Sequence, residues 1–398
     1  MEQLILRAGV LMDGTGAQPQ RDWDILLNGR KIEALGPRGS FGQELPVRDY
    51  SDKFVMPGMI NCHIHLDMPP LADPMKWYQG MNYVEKTLQA ESHMRDYLRT
   101  GVTYVRSLGS ADSLDLKVKG AMSKGLVKGP GIVGAGRNLC MTGGHGWMMG
   151  IECDGADECR KAARTVLRDG ADVVKFMATG GVMTPGIEPG SAQFNLDEMT
   201  AICEEAAKAG KRTASHAQGA TGILNAVKAG VSSIEHGIFL TDEIIELMLQ
   251  KGTYLVPTLV APYNIVQNGD NPEIPDYVVR KSRQVMESHW ISFQKALKAG
   301  VRIAMGTDAG TVFNPHDGTA LEFRLMTDLG MSPMDALVSA TKTAAELLDI
   351  DSQYGTLEAG KMADLVVLRD NPLEDITAVE RVWDTYRLGE RFDGCGRV

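Results

Sequence analysis

The sequence predicts an α/β protein, a (β/α)8 TIM barrel flanked by a small β-sandwich domain that both termini form. Three observations predict this fold. Eight short apolar runs, each followed by a helical pattern, recur in the middle of the chain, which is the number expected of a (β/α)8 barrel. Strand-like segments lie outside this repeat at both ends. The 398 residues are many for one core but suit a barrel with an appended module.

The two ends are predicted to form one β-domain. Residues 3–8 form a short apolar run, and Asn28-Gly29 between two further apolar runs favours a β-hairpin. Near the other end, 363–368 has a strand pattern, and Leu388-Gly389-Glu390 indicates a turn between two more strands. These segments lie far apart in the chain, so we expect a composite domain.

Apolar runs mark the predicted barrel strands at 55–64, 102–106, 131–135, 172–177, 212–216, 232–236, 254–257 and 302–305. We therefore assign residues 57–356 to the barrel, and residues 1–56 and 357–398 to the β-sandwich. Asn195 is predicted to cap a helix that ends at Gly210. Another helix begins at Ser332-Pro333.

The polar, proline-rich stretch 261–285 is predicted to be a long loop after the seventh strand. It is interpreted either as a lid or as a surface insertion without function.

Charge and composition exclude several classes of function. The net charge is −10 and no run of Lys and Arg occurs, which argues against a nucleic-acid partner. No stretch approaches the roughly 18 apolar residues of a membrane span, and no signal peptide is seen at the N-terminus. The six cysteines are scattered rather than dense, at 62, 140, 153, 159, 203 and 395. We therefore expect a cytoplasmic protein with free thiols and no membrane partner.

Five polar residues follow the ends of predicted barrel strands. His63 and His65 lie two apart at the end of the first strand, so both point to the same face. His216 ends the fifth strand, His236 ends the sixth, and Asp308 follows the eighth. One such residue alone is more often a satisfied core group. Because parallel strand ends converge at the mouth of a barrel, all five together predict a divalent-metal site.

Lys175 lies among apolar neighbours at the end of the fourth strand. A buried ammonium is costly to desolvate, so one interpretation pairs it with a carboxylate. The other, which we favour, is that burial lowers the pKa of the amine and that it reacts with CO2. The resulting carbamate would bridge two metal ions. Imidazole and oxygen ligands suit Zn²⁺, with Mn²⁺, Co²⁺ or Fe²⁺ as substitutes.

These residues stand in segments that resemble the amidohydrolase superfamily over nearly the whole chain. The segments are 55–65, 174–176, 215–217, 234–237, 306–310 and 355–365. Two more, 142–146 and 175–182, are similar to its branch of prolidase-like and Xaa-Arg/Lys carboxypeptidase-like enzymes. Ser107 and Asp317 depart from the pattern of many relatives, and they concern the pocket rim rather than the metal ligands. The resemblance implies a barrel flanked by a terminal β-sandwich, a carboxylated lysine and a binuclear centre.

In the mechanism we expect, the ligands are shared between two metal ions. His63, His65 and Asp308 hold the more buried ion, and His216 and His236 hold the other. The carbamate and a hydroxide bridge the two ions.

The chemistry that follows is hydrolysis of an amide bond in a small molecule or dipeptide, as in a dipeptidase or carboxypeptidase of the Xaa-Pro type. Asp308 is expected to pass a proton from the attacking water to the leaving nitrogen. His145, in a glycine-rich loop, is assigned to the carbonyl oxygen, although a purely structural loop histidine is the alternative. Arg137 and Tyr263 are candidates to contact a substrate carboxylate, and both could equally be surface residues. His316 lies close by without an assigned role.

Other functions remain open at this point. A cyclic amide of the imidazolonepropionase type, or a carbamate or urea-type compound, could be cleaved at the same centre. A catalytically silent homologue that acts as a binding protein would usually lack a ligand. His93 and His289 lie in helical stretches and are expected to be structural. Assembly as a homo-oligomer is also left open.

Overall fold

Strands and helices alternate through the middle of the chain, and strands dominate its ends. The computed structural model describes residues 3–42 and 44–392. The last six residues of the predicted terminal domain, Cys395 among them, lie outside the described residues.

The strands are β1 (Gln3–Leu11), β2 (Gln20–Asn28), β3 (Lys31–Pro37), β4 (Val47–Pro57), β5 (Met59–Ile64), β6 (Val102–Ser107), β7 (Gly131–Gly134), β8 (Asn138–Cys140), β9 (Gly150–Glu152), β10 (Val173–Met177), β11 (Arg212–Ala217), β12 (Ser233–His236), β13 (Tyr254–Val256), β14 (Leu365–Leu368), β15 (Val382–Arg387) and β16 (Glu390–Arg391). The α-helices are α1 (Pro74–Gly80), α2 (Tyr83–Arg99), α3 (Leu114–Ser123), α4 (Ala156–Arg168), α5 (Leu196–Lys208), α6 (Ala220–Lys228), α7 (Asp242–Lys251), α8 (Val260–Gln267), α9 (Asp276–Ala299), α10 (Thr319–Asp328), α11 (Pro333–Ser339) and α12 (Lys342–Leu348).

The terminal segments share one seven-stranded sheet, in the order β16-β15-β14-β4-β1-β2-β3. The predicted hairpin is present, because β2 pairs antiparallel with β3 and Asn28 lies opposite Lys31. The turn predicted at 388–390 is present between β15 and β16, although its last residue, Glu390, already belongs to β16. The two chain ends meet where β14 pairs with β4. A β-domain built from both termini is thus seen, while its division into the two layers of a sandwich stays a prediction.

Parallel strands in two sheets surround the centre of the molecule. One sheet has the order β5-β6-β7 and the other β13-β12-β11-β10-β8-β9. The backbone N–H of Asp172 donates to Gly134 O at 2.8 Å and so links the sheets. The fold is a TIM-barrel-like α/β fold with mixed sheets.

Two predicted strands differ from the structure. The segment 302–305 makes only an isolated bridge, between Ile303 and Leu255. Its backbone nevertheless bonds to both neighbours, since Ala304 N donates to Leu255 O at 3.0 Å and Cys62 N donates to Met305 O at 2.9 Å. The predicted first run, 55–64, is divided between β4 and β5 at Gly58. A closed eight-stranded sheet stays a prediction.

The stretch 261–285 is mostly helical, so its prediction as a long loop was wrong. It contains most of α8 and the first ten residues of α9, with an irregular segment at 268–275. Pro262 lies in the first turn of α8, where a backbone N–H has no partner within the helix, and Pro275 precedes α9. Pro262 and Pro275 thus mark the starts of helices rather than a loop.

Helix caps follow the sequence more closely. Asn195 accepts a hydrogen bond from Glu198 N, and Glu198 bonds back to Asn195 N, which completes a capping box at the start of α5. Ser332 caps α11 as predicted. Within the described residues, no helix is long and apolar enough to cross a membrane.

Candidate metal centre and cavity

The predicted metal ligands line one cavity, which has an empty volume of about 810 Å³, part of it open to solvent. They are His63, His65, Lys175, His216, His236 and Asp308. Parallel strands explain the convergence, because β5, β10, β11 and β12 all end at this side of the molecule. Lys175 and Met177 both line the cavity from β10, as the two-residue period of a strand requires.

His63, His65 and Asp308 form the tightest group. Asp308 Oδ1 lies 3.3 Å from His63 Nε2 and 3.2 Å from His65 Nε2. One ligand atom from each of the three residues lies within 4.8 Å of the others. Two imidazole nitrogens and a carboxylate oxygen at this spacing fit a divalent cation such as Zn²⁺.

Three further histidines extend this group across the cavity. The ring of His236 lies 5.2 Å from that of His63, and His216 lies 4.6 Å from His236, centroid to centroid. His145 follows at 4.2 Å from His216. The imidazoles therefore form a continuous row, long enough to hold more than one ion.

Hydrogen bonds outside the cavity orient the rings. His63 Nδ1 donates to Glu235 Oε2 at 2.8 Å, and His65 Nδ1 donates to Gly109 O at 3.1 Å. His236 Nδ1 lies 2.7 Å from Thr258 Oγ1. Each bond leaves Nε2 free, which is how second partners fix the ligand atom of metal-binding histidines. In His216 the pattern is reversed, because Nε2 lies 3.1 Å from Gly180 O.

Arg106 and Glu235 are a buried ion pair behind His63. Arg106 donates to Glu235 Oε1 at 2.8 Å and to Ser233 Oγ at 3.0 Å, and both charged side chains are fully buried. Glu235 therefore bonds a guanidinium with one oxygen and the ligand histidine with the other.

Left-handed backbone conformations occur at three non-glycine residues of the site. They are His236 (φ 71°), Thr258 (φ 51°) and Asp308 (φ 59°). Such conformations are costly and persist where the surroundings impose them, which is typical of functional sites. The positive φ of His236 changes the direction of its side chain. Adjacent residues of a strand normally point to opposite faces, yet His236 lines the cavity while Glu235 bonds His63, another residue of the lining.

Burial sets the protonation of the ligands. It lowers the pKa of His63, His216 and His236 well below the ordinary value, so their rings are neutral and able to bind metal. Burial alone would raise the pKa of Asp308, but the neighbouring imidazoles and Lys175 lower it overall. Asp308 is therefore ionised.

Lys175 is buried, with a side chain only 1% exposed. Burial lowers its pKa to about 8. Within 3–42 and 44–392, its Nζ has no carboxylate within ion-pair distance, which disfavours the interpretation that pairs it with a carboxylate. The amine is buried, has no such partner, and shares the cavity with the group His63, His65 and Asp308 and with the pair His216 and His236. These surroundings are compatible with its conversion to an anionic metal ligand.

The cavity wall is apolar and rich in methionine. It includes Met68, Met75, Met148, Met149, Met177 and Met183, together with Val182, Ile238 and Val285. The charged residues of the lining are Lys175 and Asp308, both at its floor. Flexible methionine side chains adapt to apolar ligands of different shape.

Not every predicted residue reaches this cavity. His145 lines it, but Arg137 and Tyr263 are not among its lining residues. Arg137 lies 3.5 Å from Asp169, and Tyr263 packs against the core with its hydroxyl near Arg324. His316 is stacked on His93 at 3.5 Å, and its Nε2 donates to Met68 O, which gives it a structural contact.

Some site residues were missed by the sequence reasoning. Glu235, Arg106 and Thr258 were not assigned, and His289, expected to be structural, lines the cavity. His289 Nε2 also bonds the carbonyl oxygens of His236 and Pro257. Only the position of Glu235, next to a predicted ligand, carried a signal in the sequence.

Comparisons with known proteins show the family of the chain. A model of the amidohydrolase family matches residues 54–390. The ochratoxinase of Aspergillus niger is 32% identical over 437 aligned residues, which cover 98% of this chain and 87% of that protein. A crystal structure of an Xaa-Pro dipeptidase with bound methionine in the active site has a TM-score of 0.92 at 31% identity, covering 98% of this chain and 100% of that one.

A prolidase complexed with n-methylphosphonate-l-proline has a TM-score of 0.91 at 29% identity, covering 98% of this chain and 99% of that one. The predicted class of enzyme, a hydrolase acting on amide-type carbon–nitrogen bonds, is confirmed by these relatives. Enzymes of this kind generally use divalent metals. The chain belongs to the amidohydrolase family, and its similarities lie in the prolidase-like branch.

Proposed function

We propose that this protein is a two-metal amide hydrolase of the dipeptidase type that cleaves Xaa-Pro dipeptides with an apolar first residue. One observation carries the proposal: six candidate ligand groups form the floor of a cavity whose wall is methionine-rich. The solved relatives named as an Xaa-Pro dipeptidase and a prolidase support the substrate class. The proposed catalytic unit is 57–356, supported by the composite β-domain of 1–56 and 357–398.

The ligand set we propose is His63, His65 and Asp308 for one cation, His216 and His236 for the other, and Lys175 between them. The neutral amine of Lys175 would attack the carbon of CO2. A nitrogen–carbon bond forms, one electron pair of CO2 moves to oxygen, and a proton leaves Nζ. The product is a carbamate with two oxygen ligands. Two divalent cations held here, Zn²⁺ in the first place, would polarise the scissile carbonyl and lower the pKa of water.

Asp308 and His145 are the proposed proton-handling and polar groups. The low pKa of Asp308 keeps its carboxylate ready to accept a proton and pass it to the leaving nitrogen. His145 Nδ1 lies 2.7 Å from Thr184 Oγ1. When this hydroxyl donates to Nδ1, the proton of the neutral ring lies on Nε2 and can be donated to the substrate carbonyl oxygen.

A dipeptide panel with the zinc-loaded enzyme tests the substrate class. We expect release of proline from Met-Pro and Leu-Pro, with at least about tenfold lower kcat/KM for Asp-Pro, whose charge would be desolvated against methionine. Met-Arg serves as the matched C-terminal control. The rate of the Asp308→Asn variant, whose metal content is also measured, serves as the background rate of hydrolysis. Rates for all Xaa-Pro dipeptides equal to this background would contradict the proposal.

A second candidate is hydrolysis of a bulky apolar amide that carries no carboxylate. The cavity favours it because no side-chain cation other than Lys175 lies among the lining residues to pair with a substrate carboxylate. Met-Pro with an amidated C-terminus distinguishes the two. Faster cleavage of the amidated compound than of free Met-Pro supports the second candidate. An imidazolone and an aryl urea in the same panel cover the remaining alternatives. A cytoplasmic homo-oligomer stays a prediction.

A further inference from the structure

Helix α9 presents one face to the cavity and to the segment 182–188. Lys281, Val285 and His289 are spaced four residues apart and therefore share this face. Val285 and His289 line the cavity directly. Lys281 lies one turn further toward the start of the helix, where it meets the segment.

The segment 182–188 is irregular backbone, and side chains of α9 bond its carbonyl groups. Lys281 Nζ donates to Thr184 O at 2.8 Å and also to Ile187 O. Tyr277 donates to Met183 O at 3.2 Å. Buried carbonyl groups outside regular strands need such donors. One ammonium on a long stem can satisfy two of them.

Lys281 is an unusual choice for a purely structural contact. Its side chain is only 1% exposed. In the part of the chain that the structure describes, no carboxylate lies within 4 Å of its Nζ. A buried charge without a counter-ion is costly, and here its two hydrogen bonds to Thr184 O and Ile187 O offset that cost. The ammonium therefore ties the backbone of 182–188 to α9.

One of the carbonyl groups that Lys281 bonds belongs to Thr184, whose side chain contacts His145, a residue of the proposed reaction. Thr184 is buried and lines the cavity, and its Oγ1 lies 2.7 Å from His145 Nδ1. A Cβ at Gly181, the residue directly before the segment, would lie 2.6 Å from the His145 ring, so the backbone that leads into the segment packs against this imidazole. The position of the segment thus sets where the Thr184 hydroxyl meets Nδ1 of His145.

We propose that Lys281 is a positioning residue that holds the segment 182–188 and thereby fixes Thr184 against His145 above the metal centre. This inference rests on the proposed function, which gives His145 its role at the substrate carbonyl. Lys281 does not touch the substrate itself. It acts through two peptide groups and one hydroxyl.

Kinetics of variants in the zinc-loaded enzyme test whether Lys281 acts on His145 through Thr184. Lys281→Met is expected to lower kcat by about 10²-fold, because a misplaced catalytic group loses alignment with the transition state. Lys281→Arg should retain more of the rate, since it keeps a cationic donor. Thr184→Val should resemble Lys281→Met, and the double variant should be no slower than the slower single one. Lys295→Met, on the exposed side of the same helix, is the matched control.

Hydrogen exchange in the metal-free protein supplies a measurement that does not depend on turnover. Amides of 182–188 should exchange about tenfold faster in Lys281→Met, with β11 unchanged. Unchanged exchange, or additive losses from Lys281→Met and Thr184→Val, would overturn the inference. If 182–188 exchanges faster in Lys281→Met but the wild-type enzyme cleaves no amide, only the proposed function is overturned.

Discussion

At the scale of the residue, Lys175 shows how burial changes the chemistry of one side chain. Its amine is fully buried beside Asp308, and burial lowers its pKa to about 8. A fraction of the amine is thus neutral near neutral pH, which is the form that reacts with CO2. An ordinary lysine, with a pKa of 10.5, would almost all be protonated.

Lys175→Ala is expected to lose the proposed carbamate bridge between the two proposed metal sites. Metal content should fall below two ions per chain, and kcat should fall by about 10³-fold or more, since the loss of several kcal/mol of charge stabilisation corresponds to that factor. Elemental analysis and amide hydrolysis measure both effects. Lys161→Ala, at an exposed position on α4, is the control. A variant with two ions and a normal rate would contradict the binuclear centre.

Glu235 joins the buried ion pair with Arg106 to His63, a proposed metal ligand. The Glu235→Gln variant keeps the size of the side chain but removes the charge that holds the Nδ1 proton of His63. We expect metal affinity to fall by about 10–100-fold, as for other partners of metal-binding histidines. Competition with a chelator dye measures it. Glu246→Gln on the exposed face of α7 should be unaffected, and equal affinities for both variants would contradict this role.

At the scale of the element, the stacked pair His93 and His316 joins α2 to the segment before α10. His93 Nδ1 donates to Leu66 O at 2.7 Å, and His316 Nε2 donates to Met68 O at 3.1 Å. Both bonds hold the segment that follows His65. Sequence reasoning could classify His93 as structural from its helical position, but not its partner, which lies 223 residues away.

The pair predicts a sensitivity to acid. Burial lowers the pKa of His93 from 6.5 to about 4. The unfolded chain therefore binds a proton more readily, so stability is fully present above pH 6.5 and is lost as the pH falls toward 4. His93 alone should account for about 3 kcal/mol.

Urea unfolding of the metal-free protein between pH 7 and pH 4 measures this loss. His93→Gln, which keeps a donor for Leu66 O, should lose less stability over that interval than the wild type. Parallel curves for the two proteins would show that His93 is not responsible.

At the scale of the whole molecule, the proposed metal centre is separate from the interactions that stabilise the fold. The core is a large cluster of buried apolar residues, and the strands are paired by backbone hydrogen bonds. Metal ions that bind only the folded state stabilise it by mass action, by about 2.7 kcal/mol at a free concentration of 100 times Kd.

Removal of metal by a chelator should therefore leave the far-UV circular dichroism unchanged and lower the Tm by about 3 °C or more. Zinc with bicarbonate should restore the Tm of the wild type, and zinc should restore only part of it in Lys175→Ala. A chelated protein that unfolds outright, or one whose Tm does not move, would contradict this separation of site and fold.

The sequence by itself determined the kinds of ligand, their order along the chain and the strand-like ends, because alternation of period two and capping residues such as Asn195 are local signals. It also indicated that Lys175 is buried. Only the tertiary structure decided that Glu235 bonds His63, that 261–285 is largely helical, and that α9 holds the segment beside His145. The bonds involved join distant residues: Thr184 and Lys281 lie 97 positions apart, and His63 and Glu235 lie 172 apart. Local periodicity carries no information about which distant groups meet, because packing of the whole chain determines it.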